Sequence, residues 1–181
     1  MAAMRVLVVY GSRLGATQGI AERVAARLVA AGLDVGLASA ERSADLPEAD
    51  AYVIGSGVYA QHWMKKAADL VRRNRSALAA KPVWLFSSGP VGSWATAPEP
   101  IEPREIAGFR RAIHPRAHRT FAGAIDRGTL DGSDLSSVER FVTRRFMPEG
   151  DFRDWPAIEA WADGIAREVG NRSTVRSARV D

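Results

Sequence analysis

The chain has 181 residues, 46% hydrophobic and 25% charged, the composition of an ordinary soluble domain with a core large enough to fold unaided. It contains no cysteine, which excludes disulfides, iron–sulfur ligation and thiol chemistry and suits a cytoplasmic setting. The net charge of +4 and a sequence pI near 9.9 favour an anionic partner or surface. Met1–Arg5 carries no signal-peptide pattern, and no apolar run approaches the ~20 residues of a membrane-spanning helix. His62, His114 and His118 lack zinc-type spacing, so no metal site is expected.

Arg5–Thr17 (RVLVVYGSRLGAT) reads as a strand, a small-residue turn and the opening of a helix. Val6–Val9 is a continuous apolar run, as a strand covered on both faces requires. Gly11 and Gly15 bracket Ser12-Arg13-Leu14, and Ala16-Thr17 lead into a helix with apolar positions at 20, 21, 24, 25, 28 and 29. Backbone N–H groups, the Ser12 and Thr17 hydroxyls and the positive helix end can converge there on an anion, most plausibly a phosphate. A Gly turn at a strand–helix junction also serves purely structural ends. The glycines at 11, 15 and 19 fit neither GxGxxG nor a nucleotide-hydrolysing P-loop.

Asp34–Ser39 and Ala51–Gly55 read as the second and third strands, the latter followed by the small-residue loop Ser56–Ala60. Apolar residues from Trp63 to Leu78 sketch a helix, and Val83–Ser87 is a fourth strand. Ser88–Pro100 is a long Pro/Gly-rich loop, and Pro103–His114 a weak helix. Arg119–Ile125 is the fifth strand, and Leu135–Met147 an amphipathic helix. Asp154 caps a last helix through Ile158, Trp161, Ile165 and Val169, and residues 171–181 form a polar tail. Alternation of strands and helices implies an α/β sandwich with a parallel sheet and a ligand crevice at the strands' carboxyl ends. Three loops leave such ends: Gly11–Thr17, Ser56–His62 and Ser88–Pro98.

The segment Ser12-Arg13-Leu14-Gly15-Ala16-Thr17 resembles the S/T-x-T-G-x-T phosphate loop of the flavodoxin-like family, with Leu14 where the motif has a hydroxyl. The resemblance implies a three-layer sandwich whose five-stranded parallel sheet has the order 2-1-3-4-5, and FMN as cofactor. Arg13 offers a compensating charge, or is a solvated surface residue. Gly57, Val58, Tyr59 and Ala60, with Ser88, Gly89, Pro90, Val91, Gly92 and Trp94, would flank the ring. Tyr59 and Trp94 would stack on it; the alternatives are Tyr59 as a core or rim aromatic against the neighbouring helix and Trp94 buried under its own loop. Backbone N–H groups of Gly57, Gly89 and Gly92 would meet the ring's polar edge.

Together GSRLGAT, DAYVIGSGVYAQHWMKKAADLVRRN, FAGAI and GDFRDWPAIEAWADGIARE resemble, more closely, the menaquinone-dependent protoporphyrinogen dehydrogenase branch of that family. Residues 1–170 would then be one domain, with 129–150 matching a branch-specific insert and 171–181 as the tail. The resemblance implies oxidation of a reduced organic substrate, protoporphyrinogen or a relative, with electrons passed through FMN to a quinone. The alternative is an electron carrier with no small-molecule substrate. In the insert, Leu135, Val138, Phe141, Val142 and Phe146 stand beside Arg127, Arg140, Arg144 and Arg145. That pattern suits an anionic lipid surface or a propionate-bearing porphyrin. The plainer expectation, favoured for the phenylalanines, is burial in the chain's own domain. His62 is a candidate general base, against a role at a helix start. The arginines are scattered without a stacking platform, so no nucleic-acid partner is expected.

Overall fold

A computed structural model describes residues 4–43, 45–89, 91–92, 102–133 and 135–177, without the side chains of 172–177. The strands are β1 (Arg5–Gly11), β2 (Asp34–Ser39), β3 (Ala51–Tyr59), β4 (His62–Trp63), β5 (Val83–Ser88), β6 (Ala117–Phe121), β7 (Ala124–Ile125) and β8 (Gly150–Asp151). The helices are α1 (Ala16–Ala30), α2 (Lys65–Arg73), α3 (Arg75–Ala79), α4 (Arg104–Ile113), α5 (Ser137–Phe146) and α6 (Trp155–Ser177). Strands β2-β1-β3-β5-β6 pair in parallel in that order. This is the expected 2-1-3-4-5 sheet, its last two strands renumbered because the short β4 folds back antiparallel on β3.

Period-two alternation splits the core into two layers. Val6, Val8, Val53, Trp84 and Phe86 face one cluster with Ile20, Val24 and Leu28 of α1 and Ile158, Ile165 and Val169 of α6. Leu7, Val9, Ile54, Val83 and Leu85 face the other, with Leu70, Val71, Leu78, Ile106, Phe109 and Ile113 from α2, α3 and α4. Helices on both faces leave the carboxyl edge of the sheet as the place where loops can gather.

Several boundaries depart from the sequence reading. The third strand runs past Gly55 to Tyr59, because β1 and β5 hold its parallel register to Ser56 and Gly57 and β4 then pairs Val58 and Tyr59. The connecting residues Ala60 and Gln61 both have positive φ, 49° and 66°, as a two-residue hairpin turn that follows the right-handed twist of its strands requires. Trp63 therefore belongs to β4, and the helix expected from it is two, broken where the Asn74 side chain donates to the Leu70 carbonyl at 2.8 Å. The expected strand 119–125 is divided into β6 and β7. Past Phe121 the backbone turns: the Gly123 carbonyl accepts from Phe152 N–H, and β7 pairs with β8. Helix α6 reaches Ser177, into the stretch expected to be a polar tail from 171.

Gly55 sits beneath the Phe86 ring, which would lie 2.0–2.4 Å from a Cβ there. Phe86 is fully buried and meets Phe121 and Trp161 edge-on or tilted, so it has no free volume to yield. Gly55→Ala is therefore expected to cost at least about 3 kcal/mol, the upper range for overpacking. Denaturant unfolding measures it, and a loss under about 1 kcal/mol would contradict this packing.

Candidate functional site

The parallel register levels Gly11, Ser56 and Ser87 across the three central strands, so their loops leave at one height. The first loop is shaped by Gly15, at φ 83°, where the Ser12 Oγ accepts the Gly15 N–H at 3.1 Å. Its hydroxyl hydrogen stays available to a ligand. Helix α1 has no side-chain cap and no acidic residue in its first turn. Its first intrahelical bond runs from Gly19 N–H to the Gly15 carbonyl, so the N–H groups of Ala16, Thr17 and Gln18 have no helical acceptor. Thr17 is buried, and its Oγ1 would stand 3.2 Å from a Cβ at Gly57, so absence of a side chain there keeps the cradle open.

A cavity of about 440 Å³ opens on this end. Ser12, Leu14, Ala16 and Thr17 line it with Gly57, Val58, Tyr59 and Ala60, and with Ser88, Gly89 and Val91. Three expected residues stand elsewhere. Gly15 shapes the turn from outside the lining. Gly92 lies against Pro148. The Arg13 guanidinium crosses the rim, 5.5 Å from the Tyr59 ring centroid and 3.0 Å from Glu139. Pro90 and Trp94 lie outside the described residues. Gly89 N–H donates to the Phe121 carbonyl at 3.3 Å, which leaves Gly57 as the better placed of the proposed ring-edge donors. Burial pushes the Tyr59 phenol up, partly offset by the Arg13 charge.

The far wall comes mainly from the segment expected to serve a lipid surface or a porphyrin, and its place against the cofactor loops was not among the expected site residues. It consists of Gly123–Ile125 and of Leu135, Val138, Glu139, Val142, Thr143 and Met147 from α5 and its flanks. Val138 and Val142 are one helical turn apart, a spacing legible in the sequence, but nothing local says that this face meets the three strand-end loops far upstream. The expected burial of the phenylalanines is overturned: Phe141 and Phe146 are 66% and 67% exposed, and no residue of α5 is buried, Val138 and Val142 lining the open cavity while exposed themselves.

His62 is exposed and outside the cavity lining. Its Nδ1 lies 2.8 Å from Glu105, whose other oxygen accepts the Trp63 N–H, so it ties β4 to the start of α4. Beneath the site runs a buried polar chain. Trp63 Nε1 donates to Ser87 Oγ at 2.8 Å, and Ser87 Oγ lies 2.8 Å from His118 Nε2. The Ser87 hydroxyl then donates to His118 Nε2, which places the ring proton on Nδ1, 3.4 Å from Glu102. Among the described residues no group of three potential ligands could hold a metal ion, and no helix is long and apolar enough to cross a membrane.

A family model described as "Flavodoxin domain" matches residues 7–150. The chain belongs to the flavodoxin-domain family. Among solved structures, an archaeal flavodoxin is similar at 17% identity and TM-score 0.57, covering 92% of this chain and 99% of that one. The rubredoxin oxygen:oxidoreductase of the anaerobe Desulfovibrio gigas is similar at 13% identity and TM-score 0.60, with 92% of this chain and 36% of that chain covered. The flavodiiron core Flv1 of Synechocystis sp. PCC6803 gives 15% identity and TM-score 0.62, with 94% and 37% covered. The chain thus spans a little over a third of the latter two. A search of curated proteins finds no match. FMN is the cofactor of flavodoxin domains, and the cavity fits it. One end presents unpaired helix N–H groups and two hydroxyls for a phosphate, and the body is apolar and walled by glycine backbone. Leu14 removes one hydroxyl from the phosphate end.

Burial holds the His118 imidazole below its ordinary value of 6.5, against the pull of Glu102, so the folded chain keeps it neutral. The unfolded chain binds that proton first. Its contribution to stability is therefore present above pH ~6.5 and lost as pH falls through the lower folded value. Unfolding free energy is expected to decline on acidification from pH 6.5, and His118→Gln should flatten that limb in urea titrations at successive pH values.

Proposed function

We propose that the chain is an FMN-dependent oxidoreductase of the protoporphyrinogen dehydrogenase type, taking electrons from a reduced organic substrate and delivering them to a quinone. The observation that carries this reading is the second wall. The strand-end loops that serve a flavodoxin's cofactor here face an apolar helical surface, Val138, Val142 and Met147, across the same cavity. That wall offers contact to a flat apolar molecule beside the cofactor, which a pure carrier has no need of.

The residues divide the work by position. The N–H groups of Ala16, Thr17 and Gln18 with the Ser12 and Thr17 hydroxyls would hold the phosphate. Gly57–Ala60 and Ser88–Val91 would orient the ring, with Tyr59 against a face and Gly57 backbone at its edge. Val58, Val142 and Met147 would cover the ring with apolar surface. FMN, when bound, supplies the redox chemistry, and the protein supplies position and electrostatics. Exposed Phe141 and Phe146 stand on α5 outside the cavity lining, with Arg145 over the Phe146 ring, a combination that supports peripheral contact with an anionic membrane holding the quinone.

Two measurements test this. Purified protein is expected to be yellow and to release FMN on heating, identified by mass. Thr17→Ala should weaken FMN about tenfold or more, the range for a hydrogen bond to a charged group, while leaving riboflavin affinity unchanged. In the second, protoporphyrinogen IX should reduce the FMN-loaded protein anaerobically, and a menaquinone analogue in phosphatidylglycerol vesicles should reoxidise it. Failure of both half-reactions, with fast electron exchange to a redox protein instead, would establish the carrier.

A further inference from the structure

Helix α5 is held mainly within its own segment. Arg144 binds Asp131 at 2.8 and 2.9 Å, and Arg140 donates to the Asp131 and Leu135 carbonyls. None of its own residues is buried. Among the described residues, the ion pair that joins it to the strand-end loops is Arg13–Glu139 at 3.0 Å, spanning 126 positions of sequence. Glu139 is committed at both ends. It closes a capping box with Ser136, accepting the Ser136 N–H at 2.8 Å, and it lines the cavity. Arg13 at the same time lies over Tyr59. Phosphate loop, ring loop and far wall therefore meet at one pair of side chains on the rim.

We propose that Glu139 is a positioning residue: through Arg13 it clasps α5 across the mouth of the cavity and thereby sets how fast a bound flavin escapes. The proposal rests on the FMN reading above for its ligand, and on the ion pair for its mechanism. The clasp controls the helix and does not bind the phosphate, so it acts on a flavin with or without one. Hydrogen bonds from Ser136, then the Arg13 guanidinium, hold the Glu139 carboxyl down to about 2, below its ordinary 4.5. Tyr59 lies against the pair with Arg13 and Glu41 as charges acting on it, and Ser136 and Thr143 stand on the helix side. Ordinary changes of pH therefore leave the clasp closed, and salt opens it by screening.

The test uses Glu139→Gln, which keeps the capping box because Gln serves at that position as well as Glu. Release of FMN and of riboflavin is followed by recovery of flavin fluorescence at low and high NaCl, and amide exchange over 137–146 is followed in the cofactor-free chain. The expected result is release of both flavins about fivefold faster at low salt, the scale of one partly exposed ion pair. The wild-type acceleration by salt should vanish in the variant, and exchange in α5 should rise. Asp131→Asn, which breaks a pair inside the segment, should keep the wild-type salt response. Unchanged release and exchange in Glu139→Gln would overturn the clasp, as would faster release of FMN with riboflavin unaffected, since that makes Arg13 a phosphate ligand. A chain that binds neither flavin yet shows faster α5 exchange in the variant overturns the functional reading and retains the clasp.

Discussion

Everything at the site depends on one register. Gly11, Ser56 and Ser87 stand level on β1, β3 and β5, and the parallel ladder allows no slip without turning every core side chain to the wrong layer. Small residues at that height let three backbones approach one ligand. Gly11 would place a Cβ 3.0 Å from Ala67 of α2, and Gly57 one 3.2 Å from the Thr17 hydroxyl. The same lack of side chains thus permits helix packing on one strand and a ligand cradle on another. The buried chain from Trp63 through Ser87 to His118 fixes the β5 end from below, because each polar atom in it needs its neighbour as partner.

The alternation of strands and helices, and a parallel sheet covered on both faces, could be read from local signals, while the strand order came from the family resemblance. Unbroken apolar runs mark strands covered on two faces, and glycine-rich exits mark their carboxyl ends. Ser12–Thr17, Gly57–Ala60 and Ser88–Val91 follow from those exits. Boundaries failed where pairing with a distant segment decides them. Tyr59 is strand because β4 returns to it, and the break after Phe121 exists because β8 captures Ala124 and Ile125. Neither partner is visible from the residues being judged.

Helix α5 shows the limit most clearly. Its periodicity reports an apolar face and says nothing of what the face meets. Burial of the phenylalanines is the economical expectation, yet all four large apolar residues of the helix are exposed, the valines along the open cavity and the phenylalanines outside its lining. A helix with apolar side chains on two sides and arginines between them resembles a piece placed between two environments more than a member of the core.

The two walls of the cavity are consequently unequal. On one side α1 is locked to α6: Arg27 binds Asp163 through two hydrogen bonds of 2.6 and 2.9 Å, Arg23 pairs with Glu159, and Ile20, Val24 and Leu28 are fully buried. Opening that wall would expose the core itself. On the other side α5 buries none of its residues and can detach without touching either core layer. Local opening is cheapest where little apolar area is at stake, so motion concentrates in the far wall while the phosphate loop stays fixed. A cofactor anchored at its phosphate and covered along its ring by a wall that moves can be retained and still be reached by a second molecule.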